Sequence, residues 1–145
     1  GQPLGDAVDL VTLPLIAPAE PLPIDAFDVE RRTEVSLMGM DVVGYSLYPL
    51  GLRHEARRSL RPGEAAELLL YARGPNMPLQ ARLERHGAAI VTVAYDALTA
   101  GVPSGHIARG TRQFTIPANA PVGRYRLVVT VGGQSASLGT VEIER

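Results

Sequence analysis

The chain has 145 residues, a net charge of −1 and no cysteine. That length suits one domain burying ~70% of the surface its unfolded form exposes, so no disulfide or metal staple is required. The missing thiol excludes thiolate nucleophiles, Cys-ligated zinc and iron–sulfur clusters, and the near-neutral charge offers no basic field for nucleic acid.

Residues 1–24 read as an N-terminal strand followed by a proline-rich extended strap, and residues 25–145 as the main domain. Val8 to Leu15 has β-type composition and is expected to pair with that domain. Leu10 to Ile24 is apolar but contains Pro14, Pro18, Pro21 and Pro23, which exclude a straight helix. No apolar stretch reaches the roughly 20 residues of a membrane span, so no membrane insertion is expected of this segment. No charged n-region with an apolar core marks a signal peptide. Leu10, Thr12, Leu13 and Leu15 echo Leu138, Thr140, Val141 and Ile143. Chance, equivalent edge strands or an upstream tandem copy would each produce so short a match. Asp25 and Asp28 read as turn and cap residues.

Val35 to Tyr48 reads as strand, with Gly39 and Gly44 as bulges or bends. Its apolar residues occupy both parities, as in a strand covered on both sides or interrupted by a bulge. Leu52 to Leu60 has no clear period. Arg53, Arg57, Arg58 and Arg61 there read as a solvated, ion-paired loop in preference to a phosphate or acidic-glycan site. Arg61-Pro62-Gly63 then turns the chain into a strand, Glu67 to Tyr71. Leu79, Ala81 and Leu83 alternate with Gln80, Arg82, Glu84 and His86. Gly87-Ala88 connects to a strand from Ala89 to Tyr95. Asp96 to Gly110 reads as a long loop, and loops of that kind carry function more often than strands. In Arg124 to Val131, Tyr125, Leu127, Val129 and Val131 take the core parity. Gly132-Gly133-Gln134 leads to a last strand ending at Ile143. Short strands of period two with glycine and proline turns predict an all-β fold, a two-layer antiparallel β-sandwich. Immunoglobulin-like and jelly-roll orders both fit.

Chemistry-bearing residues are sparse. Ser104 and His106 share the long loop with Asp96, but no Gly-x-Ser-x-Gly motif accompanies them. His54, His86 and His106 lack metal-ligand spacing, and no phosphate-binding or dinucleotide fingerprint occurs. The expectation is no catalytic residue, no metal and no cofactor. A sugar ring stacks on aromatic faces. Tyr71 shares its parity with Glu67, Leu69 and Arg73 and is expected to be partly exposed, while Tyr95 ends a strand beside the loop. Tyr71, Tyr95, Arg73 and His106 are therefore the candidate ligand-binding residues. Tyr125 reads as a core ring whose hydroxyl bonds to backbone, in the manner of a tyrosine corner.

Val42-Val43-Gly44-Tyr45-Ser46-Leu47, Leu60-Arg61-Pro62-Gly63-Glu64, Leu68-Leu69-Leu70-Tyr71 and Pro121-Val122-Gly123-Arg124-Tyr125-Arg126-Leu127 follow one another in that order. Together with the closing Leu138 to Ile143, they resemble the C-terminal β-sandwich ectodomains of bacterial multi-spanning membrane glycosyltransferases and related surface proteins. Ala72 stands where that family places tryptophan, and the loop after Tyr95 departs from its pattern. The resemblance implies a non-catalytic, extracytoplasmic accessory module at the cell surface, part of a membrane-anchored protein. Its partners would be a glycan or domains of the parent protein, and not nucleic acid. The alternatives are a carbohydrate-binding module using Tyr71, Tyr95 and the 96–110 loop, or a small hydrolase using His106.

Overall fold

Tight turns divide the chain into short strands, and strand parity sorts their side chains between two layers. In the computed structural model, residues 8–9, 31–52, 59–103 and 105–145 are described. They form β1 (Val8–Asp9), β2 (Arg31–Leu37), β3 (Met40–Pro49), β4 (Ser59–Leu60), β5 (Ala65–Arg73), β6 (Leu79–Arg85), β7 (Ala88–Tyr95), β8 (Ala108–Thr115), β9 (Gly123–Val131) and β10 (Gln134–Ile143). One five-stranded sheet has the order β1-β8-β5-β3-β2, and the other has β4-β10-β9-β6-β7. The fold is a two-layer β-sandwich. Its ladders are antiparallel except for β4 with β10, where Ser59 and Leu60 run parallel to Glu142 and Ile143. This parallel pair arises because the chain crosses from the first sheet to the second after β3 and returns at β5.

The core lies between the layers. Ala66, Leu68, Leu70 and Ala72 project from β5, Leu79, Ala81 and Leu83 from β6, and Tyr125, Leu127, Val129 and Val131 from β9. Each is at most 1% exposed. The parities read for β6 and β9 are those observed. Tyr125 also donates its hydroxyl to the Pro121 carbonyl at 2.7 Å, closing the expected tyrosine corner.

Arg61-Pro62-Gly63-Glu64 forms a proline–glycine turn. Gly63 has φ 83°, and the Glu64 amide donates to the Arg61 carbonyl at 3.1 Å. Proline presets the first corner, and only glycine takes the second without a Cβ clash. The Glu64 carboxylate locks the turn by accepting the Arg61 amide at 2.9 Å.

Several boundaries differ from expectation. Val35 to Tyr48 is not one strand. Met38 and Gly39, with φ 53° and 85°, turn β2 into β3 as a two-residue hairpin loop. Gly44 does lie at a bulge, where the β3–β5 register steps between Val42 and Gly44. His86 is a turn residue with φ 54°, ahead of Gly87, instead of the end of a strand. The expected 96–110 loop is shorter, because β8 begins at Ala108 and continues through Thr115. Arg109, Gly110, Thr111, Arg112 and Gln113 show no apolar alternation. Pairing to β5 along the whole strand makes this segment β. At the N-terminus, Val8 and Asp9 pair with Gly110 and Arg109 of β8. The rest of the expected strand to Leu15, the proline-rich strap, Asp25, Asp28, His54, Arg53, Arg57, Arg58 and Ser104 lie outside the described residues.

Candidate functional site

The outer parity of β6 and β9 places Gln80, Arg82 and Glu84 beside Thr130, Val128 and Arg126. This outer surface is polar and cross-linked. Arg82 Nε donates to Glu84 Oε2 at 2.7 Å, and its Nη1 donates to Thr130 Oγ1 at 2.6 Å. Arg126 Nη2 donates to Glu84 Oε1 at 2.8 Å. Thr130 Oγ1 and Ser135 Oγ lie 2.7 Å apart, which carries the chain of contacts onto β10. Glu84 is the hub, with a side chain only 10% exposed between guanidiniums that are 26% and 60% exposed. Hydrogen bonds from Arg82, then from Arg126, hold its carboxyl below the ordinary value of 4.5, although burial opposes them. Val128, opposite Arg82 in register, is 3% exposed. The arginine stem thus covers an apolar floor while the head group stays at the surface.

At the loop end of this face is a cleft of about 300 Å³ lined by Pro78, Gln80, Ala94, Asp96, Thr130 and Gly132, among others. Thr130 belongs to both cleft and network, and its register partner Gln80 lines the cleft beside it. The combined surface offers guanidinium donors, carboxylate acceptors, an amide and hydroxyls within a few ångströms of one another. Such a set can exchange hydrogen bonds with a polyhydroxylated molecule. Strands hold the set, so little ordering is required on binding.

The expected ligand residues lie elsewhere. Tyr71 has the parity read for it, on the outer side of β5, but its partial exposure is corrected. It is 0% exposed, clustered with Leu69, Ile107 and Val43. Tyr95 is 1% exposed, and its hydroxyl donates to the Leu68 carbonyl at 2.7 Å, tying the two sheets together. Burial pushes its phenol well above the ordinary range, against the charge of Arg112, whose guanidinium lies 5.0 Å from the ring centroid. Neither ring presents a face to solvent. Tyr45, Tyr48 and Tyr125 are buried as well, which accounts for all five tyrosines, and the chain has no tryptophan. Arg73 is exposed and faces Asp41 at 3.4 Å. His106 is buried at the end of the loop. Register brings Tyr71 and Arg73 of β5 close to the start of β8, and so to the 106–107 segment, whereas Tyr95 sits in the inner layer. The four residues do not share one surface.

The 96–107 segment is itself packed. Leu98 and Thr99 are buried, and Asn76 accepts the Thr99 amide and donates to the Asp96 carbonyl, each at 3.3 Å. Among the described residues, no group of three or more histidines or carboxylates could hold a metal ion. Arg82, Glu84, Arg126 and Thr130 take the parity opposite the core residues of β6 and β9, but no motif marks them in the sequence. Their signal was present, since both strands alternate cleanly. What was missing was the β6–β9 pairing that brings opposite charges together.

No protein-family model matches the chain, nor does the sequence of any curated protein. Among solved structures, the crystal structure of the C-terminal domain of wzt is similar, with a TM-score of 0.49 and 12% sequence identity over 80% of each chain.

Proposed function

We propose that the chain is a non-catalytic binding module of a larger extracytoplasmic or membrane-anchored protein. It holds a glycan on the outer face of the second sheet by hydrogen bonds. The observation that carries this reading is the network through Thr130, Arg82, Glu84 and Arg126, which meets the cleft at Thr130. A sugar offers hydroxyls that both donate and accept, and fixed guanidinium and carboxylate groups match that chemistry. Since all five tyrosines are buried, recognition here proceeds through polar contacts and not ring stacking. The resemblance carried by Gly44-Tyr45, Arg61-Pro62-Gly63-Glu64 and Gly123-Arg124-Tyr125 supports the extracytoplasmic setting. We further propose an immunoglobulin-like arrangement of the sandwich, a reading that the Tyr125 hydroxyl bonded to the Pro121 carbonyl supports.

Glycan-array screening of the purified chain tests the proposal. The expected result is a hit weakened roughly tenfold or more by Arg82→Ala, the scale of one lost charge-assisted hydrogen bond, with the fold retained by circular dichroism. A hit untouched by Arg82→Ala, or no hit on the array, overturns the reading.

A further inference from the structure

Strand register arranges four side chains in a block on the outer face of the second sheet. Arg82 and Glu84 are successive outward residues of β6, and Val128 and Arg126 stand opposite them on β9. Two guanidiniums therefore flank one carboxylate, and the fourth corner, Val128, is apolar and buried. Both oxygens of Glu84 are engaged, Oε2 by Arg82 and Oε1 by Arg126. The arginines are only partly engaged. Arg82 donates through Nε and Nη1, and Arg126 through Nη2. Among the described residues, Nη2 of Arg82 and Nε and Nη1 of Arg126 have no acceptor. Arg124, two residues along β9, is matched to its own carboxylate, Glu142, at 2.6 Å. The block thus holds one positive charge without a counter-charge and more N–H donors than acceptors. Hydroxyls surround it. Ser137 stands opposite Val128 and Thr140 opposite Arg126 on β10, Thr92 stands opposite Arg82 on β7, and all three are exposed.

We propose that the glycan held on this face is acidic, and that Arg82 and Arg126 bind its anionic group above Val128. The inference rests on the glycan reading and names the class of sugar. A neutral sugar brings hydroxyl donors as well as acceptors and leaves the extra positive charge unmet. A carboxylate, sulfate or phosphate group brings acceptors and the opposite charge, and a guanidinium fork meets it with two parallel N–H bonds. The Val128 side chain beneath supplies no competing acceptor. The anionic group does not sit in the neighbouring cleft, because Asp96 lines it and a second negative charge there is repelled. The ligand therefore has a direction. Its anionic group lies toward Arg126, and its neutral hydroxyls extend past Thr130 to meet Gln80 and Asp96 in the cleft.

The test is an array that carries uronate, sulfated and phosphorylated oligosaccharides beside neutral ones of the same backbones. Acidic members are expected to bind at least ~tenfold more tightly than their neutral counterparts, the scale of a hydrogen bond to a charged group. Carboxyl reduction, desulfation or dephosphorylation of the hit then identifies which anion is read. Arg126→Gln should lower the acidic-to-neutral ratio by roughly tenfold, with an unchanged circular dichroism spectrum, since this side chain is largely exposed. Arg124→Gln removes the same charge two residues away and should leave the ratio unchanged, because that arginine is already paired with Glu142. Neutral members that bind as well as acidic ones overturn the proposal and leave the glycan reading standing. An acidic preference that Arg124→Gln and Arg126→Gln erode equally also overturns it, because the preference is then one of net charge and not of this block. An array without any hit removes the glycan reading itself, and this inference with it.

Discussion

Gly139 and Tyr45 show how closely the layers are fitted. Gly139 follows a register step in β10 at Ser137, and a Cβ built there would overlap the hydroxyl of Tyr45 from the other sheet. The conformation is not what requires glycine at this position; the approach of the ring is. Gly139→Ala is expected to destabilise by ~1–3 kcal/mol, the scale of overpacking in a fitted core. Tyr45→Phe removes the clashing oxygen, so chemical denaturation of the double variant should recover most of the loss, and no recovery would refute the contact. Tyr125 makes the opposite case, because its role was legible in advance. Its parity and its place after Pro121-Val122-Gly123 marked a buried ring with a backbone-bonded hydroxyl, as observed. Tyr125→Ala should cost ~3 kcal/mol or more by the large-to-small rule, and Tyr125→Phe about 1 kcal/mol for the lost bond to Pro121. Equal denaturation midpoints for Tyr125→Phe and the unmodified chain would show that the corner contributes nothing. Tyr71 marks the limit of such reasoning. Parity placed it on the outer side of β5, but parity does not say what packs against that side. Ile107, arriving from a loop distant in sequence, belongs to the same buried cluster.

Cross-strand polar contacts also join the elements. Glu84 joins β6 to β9 through Arg126, and its carboxyl is depressed by the two guanidiniums. A depressed acid contributes stability that is complete above its ordinary value and lost as pH falls through the folded value. The melting-temperature advantage of the unmodified chain over Glu84→Gln should therefore be full near neutrality and shrink as pH falls below 4.5. Because Arg126 is largely exposed, added salt should reduce the advantage too. An advantage that grew with acidity would contradict the assigned direction. The 96–107 segment depends on Asn76, which bonds to Asp96 and Thr99. Asn76→Ala should speed amide exchange at Thr99 and its neighbours by roughly tenfold, as expected when a segment opens locally, and leave β9 protection unchanged. Uniform acceleration across the core would indicate global destabilisation instead. The sequence marked this segment as irregular. It did not reveal the docking, because Asn76 and Thr99 belong to different loops.

For the molecule as a whole, the fold was legible and the surface was not. Period two in β6 and β9, with glycine and proline at the turns, led directly to two layers. β8 escaped because its arginines and Gly110 hide any alternation, and only its pairing with β5 makes it a strand. The motifs that carried the family resemblance prove to be architectural. Pro62 and Gly63 make a turn, Gly44 sits at a bulge and Tyr125 closes a corner. They therefore speak to the sandwich more than to its ligand. The polar face was invisible for a different reason, since it is assembled across strands some 40 residues apart, as in Arg126 with Glu84. The central claim is that this face binds a glycan. Backbone chemical-shift mapping with the strongest array hit tests it most directly. The account predicts saturable shifts centred on Gln80, Arg82, Glu84, Arg126 and Thr130. Shifts confined to the 96–107 segment and the first sheet would contradict it.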